Sequence, residues 1–177
     1  MKDKLRRNRT LALEIRLRRV GFAVFEGSNR LLDWGIRRWS ANSDPVLTIV
    51  RRTDPLLSLY SPSVVVLKNV GNASNAKQRK RVITSVMHKL VMRSVEVHMV
   101  KRADVRQTFR QSGNRNKYEI ASTIAQMFPE LRQKVPPKRK AWQPERYNAV
   151  IFDSVALALA HQSQCEACAE PTNAEDS

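Results

Sequence analysis

The sequence predicts an α/β fold. It is a mixed five-stranded sheet, a three-strand antiparallel meander plus two parallel strands, with helices on both faces. Three observations predict it. Thr10–Glu26 reads as two strands folded back on each other. Ser63–Leu67 is a short apolar run rich in β-branched residues, the pattern of a strand buried on both faces. Strands and amphipathic helices then alternate, as parallel pairing requires.

The elements follow in order. Within Thr10–Arg16, Leu11, Leu13 and Ile15 share one side of a strand and Ala12, Glu14 and Arg16 the other. Arg19–Glu26 returns as its partner, with Gly21 marking a close approach or a bulge. Gly27, Ser28 and Asn29 make the turn into a third strand, Arg30–Trp39. Ser43 or Asp44 caps a helix that Pro45 opens. Thr53, Asp54 and Pro55 repeat that start signal, so a break or kink is expected before Leu56–Tyr60. After the Ser63–Leu67 strand, Ala76–Arg93 is an amphipathic helix with a stripe of Val82, Ile83, Val86, Met87, Leu90 and Val91. Val95–Val100 alternates as a fifth strand, and Ala103–Phe109 is a short helix. Asn116–Phe128 is a helix with Tyr118, Ala121, Ile124, Ala125 and Phe128 as its buried side. Lys134–Lys140 is an exposed basic linker. The last helix, Arg146–His161, is apolar nearly all round, and Asp153 is the only acid in it. The right-handed crossover rule puts strand one at the centre, strand four beside it and strand five further out.

Two acids are out of place in this pattern. Glu14 interrupts an apolar strand and Asp153 an apolar helix. A buried carboxylate is costly unless it is paired, protonated or bound to a metal. The plainer reading of Glu14 is a position near the strand end that reaches water.

Composition points to a polyanion partner. The 177 residues carry 32 Lys and Arg against 16 Asp and Glu, a net charge of +16, and the pI is about 10.8. Three domain segments are expected: a disordered basic arm over 1–9, one folded domain over 10–161, and a disordered acidic tail over 162–177. The tail holds Glu166, Glu170, Glu175 and Asp176 and no Lys or Arg. Nothing reads as a membrane span, a secretory signal or a membrane-lying amphipathic segment. Cys165 and Cys168 are the only cysteines, and a lone C-x-x-C is weak evidence for zinc. A reducing, cytoplasmic location suits such a chain. Lys77, Arg79, Lys80 and Arg81 crowd a helix start, where cations oppose the macrodipole; a phosphate would neutralise them, although a solvated face is the commoner explanation. Arg115 and Lys117 lie at the next helix start, and Lys138, Arg139, Lys140 and Arg146 interleave with Trp142 and Tyr147. Basic residues among aromatics suit contacts to nucleic acid; a loop pinned by one buried Trp is the alternative.

The order of elements and three short motifs resemble the ribonuclease H-like superfamily, and within it the RuvC-type Holliday-junction resolvases. L-A-L-E-I-R with Glu14 is similar to the family's first strand, where an acid stands at that position. V-V-V-L-K is similar to its fourth strand, which ends in a catalytic Glu where this chain has Lys68. F-D-S-V-A-L-A-L-A-H, with Asp153, is similar to its closing helix, where a second acid precedes by three residues; here that residue is Val150. Arg115–Ser122 resembles the basic helix between them. The resemblance implies two-metal phosphodiester hydrolysis, with Mg2+ or Mn2+ held by carboxylates. Glu14 and Asp153 are the two of four ligands that remain.

Three functions compete. The first is a nucleic-acid-binding, RuvC-like protein that is non-catalytic or weakly catalytic, with DNA, including branched DNA, favoured over RNA. In it the Lys68 ammonium replaces the metal's charge and forms an ion-paired triad with Glu14 and Asp153. The second is a metal-dependent endonuclease that borrows ligands such as Asp33 or Asp104. The third is a scaffolding subunit, as a homodimer, whose basic face meets an acidic protein.

Overall fold

The computed structural model describes residues 8–40, 42–70, 76–110, 113–114, 116–138, 140 and 146–169. Strands β1 (Arg9–Arg16), β2 (Arg19–Glu26) and β3 (Arg30–Arg38) form the meander. Helix α1 (Pro45–Tyr60), β4 (Val64–Lys68), α2 (Ala76–Met92) and β5 (Glu96–Val100) follow. Helices α3 (Arg102–Arg110) and α4 (Lys117–Met127), a 3-10 turn over Pro129–Lys134 and α5 (Ala149–Ala169) complete the order. The sheet runs β3-β2-β1-β4-β5. β4 lies parallel to β1, and β5 parallel to β4. This is the topology that the sequence predicts.

The period-two pattern of β1 divides the core in two. Leu11, Leu13 and Ile15 pack with Ile49, Leu56 and Leu57 of α1 and with Val82, Val86 and Leu90 of α2. Ala12, Ala23 and Val66 face the other way, against Phe109, Ile124, Val155 and Leu157 of α3, α4 and α5. On that second face small residues let α5 lie close to the sheet. Gly21 is the tightest point. A Cβ there would run into the Val150 carbonyl and stand 2.8 Å from Val150 Cγ2. Gly21 therefore marks a close approach, and it fixes the height of α5 over β1 and β2.

Four expectations need correction. Pro55 does not break α1, which continues from Pro45 to Tyr60. Ile49, Thr53, Leu56 and Leu57 stay buried on one face across the proline. Arg51, whose carbonyl loses its partner, is exposed, so water can take that bond. Tyr118 is 37% exposed. It sits on the first turn of α4, ahead of the buried Ala121, Ile124 and Ala125. Helix α5 does not end at His161 but runs to Ala169, eight residues into the stretch expected to be irregular. Those residues, rich in Ala, Gln and Glu, are good helix formers once a buried helix has been nucleated. Arg9 belongs to β1 rather than to a loose arm: its Nε pairs with Glu26 at 3.2 Å and its Nη1 donates to the Tyr60 carbonyl at 3.1 Å.

Two measurements check this packing. Gly21→Ala is expected to cost about 2–3 kcal/mol by overpacking against backbone. Gly27→Ala meets no neighbour and bears only the strain of a positive φ, about 1 kcal/mol. Equal losses in urea unfolding would contradict the close approach. His161 is 7% exposed on α5, with its ring 4.4 Å from that of His98 on β5. Burial, and then the neighbouring His98, push its pKa below the ordinary value of 6.5. The unfolded chain thus takes the proton first as pH falls. Stability is complete above pH 6.5 and declines as acid is added through the folded-state pKa. His161→Asn should remove that part of the decline in thermal melts recorded across pH.

Candidate functional site

Glu14 lies in the carboxyl half of the central strand, opposite Gly21 of β2. It is 0% exposed. Alternation sends its side chain to the α5 face with Ala12 and Arg16. The parallel register pairs Leu13 with Leu67, so Lys68, the next residue of β4, comes alongside Glu14. Lys68 Nζ donates to Glu14 Oε1 at 3.1 Å. Arg16 Nε stands 3.0 Å from the same oxygen, and Arg79 Nη2 3.8 Å from it. Arg79 comes from the first turns of α2 and also donates to the Ile15 carbonyl at 3.0 Å.

Asp153 is one turn into α5, past Val150. Its Oδ2 accepts from Arg16 Nη2 and lies 3.3 Å from Lys117 Nζ at the start of α4. Arg16 therefore joins the two acids. The triad expected from the sequence has a different bridge: Lys68 pairs with Glu14, and the contact to Asp153 belongs to Arg16 and Lys117. Arg16 was legible by its place two residues after Glu14 on the same strand, since alternation puts both on one face.

The borrowed acids are engaged elsewhere. Asp33 lies on β3 opposite Val24, which in turn pairs with Leu11, three residues before Glu14. It accepts from the Tyr60 hydroxyl at 2.7 Å and from the Trp34 backbone at 2.8 Å. Burial and then the bond to Asp33 push the Tyr60 phenol up to about 12. Asp104 holds the start of its own helix, accepting from Lys101 N at 2.9 Å.

These residues do not fit a two-ion centre. One observation favours a cation: Glu14 Oε2 is buried and takes no hydrogen bond from a described residue. The charges already present oppose it. Arg16, Lys68 and Arg79 stand within 3.8 Å of Glu14 Oε1. Two like unit charges 4 Å apart repel by about 4 kcal/mol at an effective dielectric of 20, and a divalent ion doubles that. Among the described residues no three His, Cys, Asp or Glu side chains are gathered in a way that could hold a metal ion.

The other basic residues divide between two places. Lys77, Lys80 and Arg81 line a shallow depression with Asp44, Val46 and Leu47 of the α1 start. Lys138, Lys140 and Arg146 are exposed ahead of α5. Tyr147 is flanked by Arg19 and Arg38, whose guanidinium carbons lie 5.5 and 4.9 Å from its ring centre. These two arginines escaped the sequence reading because they come from distant strands. Arg115, Arg139 and Trp142 lie outside the described residues.

Substitution separates the roles of the cations. Arg16→Met should cost about 3 kcal/mol, since it takes a partner from both acids at once. Lys68→Met should cost about 1 kcal/mol, because Arg16 and Arg79 remain beside Glu14. Chemical denaturation checks the order, and a larger loss at Lys68 would refute the bridge.

No family model matches the chain, and no curated protein sequence does. Solved structures do. Thermus thermophilus RuvC, in complex with Holliday junction substrate, is 17% identical with a TM-score of 0.68, over 90% of this chain and 95% of that one. The yeast mitochondrial Holliday junction resolvase is 14% identical with a TM-score of 0.52, over 91% of this chain and 81% of that one. Fowlpox virus resolvase, in complex with substrate Holliday junction DNA, is 14% identical with a TM-score of 0.50, over 89% of this chain and 98% of that one. Among the described residues no helix is long and apolar enough to cross a membrane. The chain therefore has the ribonuclease H-like fold in the form taken by RuvC and other Holliday junction resolvases.

Proposed function

We propose that this protein binds DNA, branched DNA included, and that its centre is held by ion pairs in place of metal ions. One observation carries the reading: Glu14 and Asp153 are joined to each other through Arg16, with Lys68, Arg79 and Lys117 around them. A carboxylate centre built to hold Mg2+ or Mn2+ concentrates negative charge, whereas this one has four cations on two acids. The net charge of +16 supplies the long-range attraction. The RuvC and fowlpox structures hold junction DNA, which supports DNA over RNA as the partner. Lys77, Lys80, Arg81, Lys138, Lys140 and Arg146 are exposed cations suited to backbone phosphates, and Arg115 and Arg139 are proposed with them from the sequence. A cytoplasmic, DNA-associated place suits this role.

The test is a gel-shift on four-way-junction and linear DNA, run beside a cleavage assay on the same labelled substrates with Mg2+, Mn2+ or EDTA. The expected result is binding without cutting, with affinity falling about 10³-fold between about 50 and 200 mM salt. Metal-dependent cutting lost in Asp153→Asn would establish the endonuclease instead. Absence of both binding and cutting would favour the scaffold, and sedimentation would then show whether the chain is a homodimer.

A further inference from the structure

The centre has more positive charge than its own acids need. Arg16 and Lys117 are committed to Asp153. Among the described acids Lys68 and Arg79 pair with Glu14 alone, and their side chains keep 23% and 22% exposure. An ammonium has three donors, and Lys68 places one of them on Glu14. Arg79 is less satisfied. Its Nη2 donates to the Ile15 carbonyl, while its Nε–H is buried with no acceptor among the described residues. That N–H is closed to solvent, so an incoming acceptor meets the exposed part of the side chain instead.

The backbone adds to the same field. Arg79 stands in the first turns of α2, which have no acid to offset the positive end of the helix. The first turn of α5, ahead of Asp153, also has no acid, and Val150 brings it down onto Gly21, directly opposite Glu14. Two partly exposed cations thus share the single carboxylate of Glu14. The group that fits is small, singly negative and rich in oxygen acceptors.

We infer that Lys68 and Arg79 seat one backbone phosphate of the bound nucleic acid at this centre, with no divalent ion between protein and phosphate. The inference rests on the DNA-binding reading and adds a site to it. Arg79 and Lys68 offer two partly exposed cations side by side, the charge that a phosphate needs. Glu14 acts as a positioning residue that holds both cations at the strand ends. The seat is separate from the depression lined by Lys77, Lys80 and Arg81.

The experiment uses the full chain and a fluorescent four-way junction. Anisotropy titrations are run across a salt series, once in EDTA and once in Mg2+. Wild-type binding should persist in EDTA at least as tightly as in Mg2+, because the contact needs no metal and Mg2+ competes for the phosphates. Arg79→Gln should weaken binding about tenfold at about 100 mM salt and lower the salt slope by about one. Arg79→Lys should restore the slope. Thermal melts accompany each variant; if Arg79→Gln melts early, Lys68→Gln gives the same readout. A well-folded Arg79→Gln or Lys68→Gln with unchanged affinity and slope would overturn the seat and leave DNA binding intact, as would wild-type binding that is lost in EDTA. A wild-type protein that fails to bind either junction or linear DNA would overturn the DNA-binding reading itself, and the seat with it.

Discussion

A carboxylate at full burial in the central strand is the constraint that the rest of this structure answers to. Glu14 is 0% exposed, and transfer of an unpaired carboxylate from water to a protein interior is prohibitive. The fold meets that cost with cations from three elements. β1 supplies Arg16, β4 supplies Lys68, α2 supplies Arg79, and α5 is drawn in through Asp153 on Arg16. Each cation comes from a different element, so the pairs tie the sheet to helices on both of its faces. Arg16 is the partner whose loss is costly, because it alone pairs with both acids, whereas Glu14 keeps two cations when Lys68 is removed.

Packing sets the geometry that these charges use. Gly21 lets the first turn of α5 descend until Val150 meets the backbone of β2. Asp153, one turn later, then stands within reach of Arg16. The parallel register of β1 and β4 sets Lys68 beside Glu14. The apolar pattern of the strands and the electrostatics of the centre are therefore one design. The same residues that fix the height of α5 fix the separation of the two acids.

Much of this was legible in the sequence, for physical reasons. Alternation in β1 placed Glu14 and Leu13 on opposite faces, and the β-branched run of β4 announced a central parallel strand. Gly21 reads as a close approach or a bulge, the two uses of a glycine within a strand, and Val150 above it makes it the close approach. Local signals failed where tertiary packing overrode them. Pro55 reads as a break or a kink, and the break does not occur, because buried residues on both sides keep α1 continuous. The Lys68 triad was half right: its pairing with Glu14 follows from register, but the reach of Asp153 depends on the height of α5, which no sequence pattern states. Arg79 reads with Lys77, Lys80 and Arg81 as a basic helix start facing phosphate or solvent, and only its rotation on α2 turns it to the Ile15 carbonyl and Glu14. The flanking of Tyr147 by Arg19 and Arg38 joins residues more than a hundred positions apart and had no local signal.

Whether the two acids are committed to cations or open to metal is best tested by titrating Mn2+ into the wild-type protein at low salt and following free Mn2+ by electron paramagnetic resonance. An ion-paired centre leaves the free-ion signal rising in proportion to the Mn2+ added, with no saturable site up to millimolar concentration, and Asp153→Asn behaves the same. One or two saturable sites in the wild type, lost in Asp153→Asn, would mean that Glu14 and Asp153 release their cations to hold metal, and would contradict the ion-paired centre.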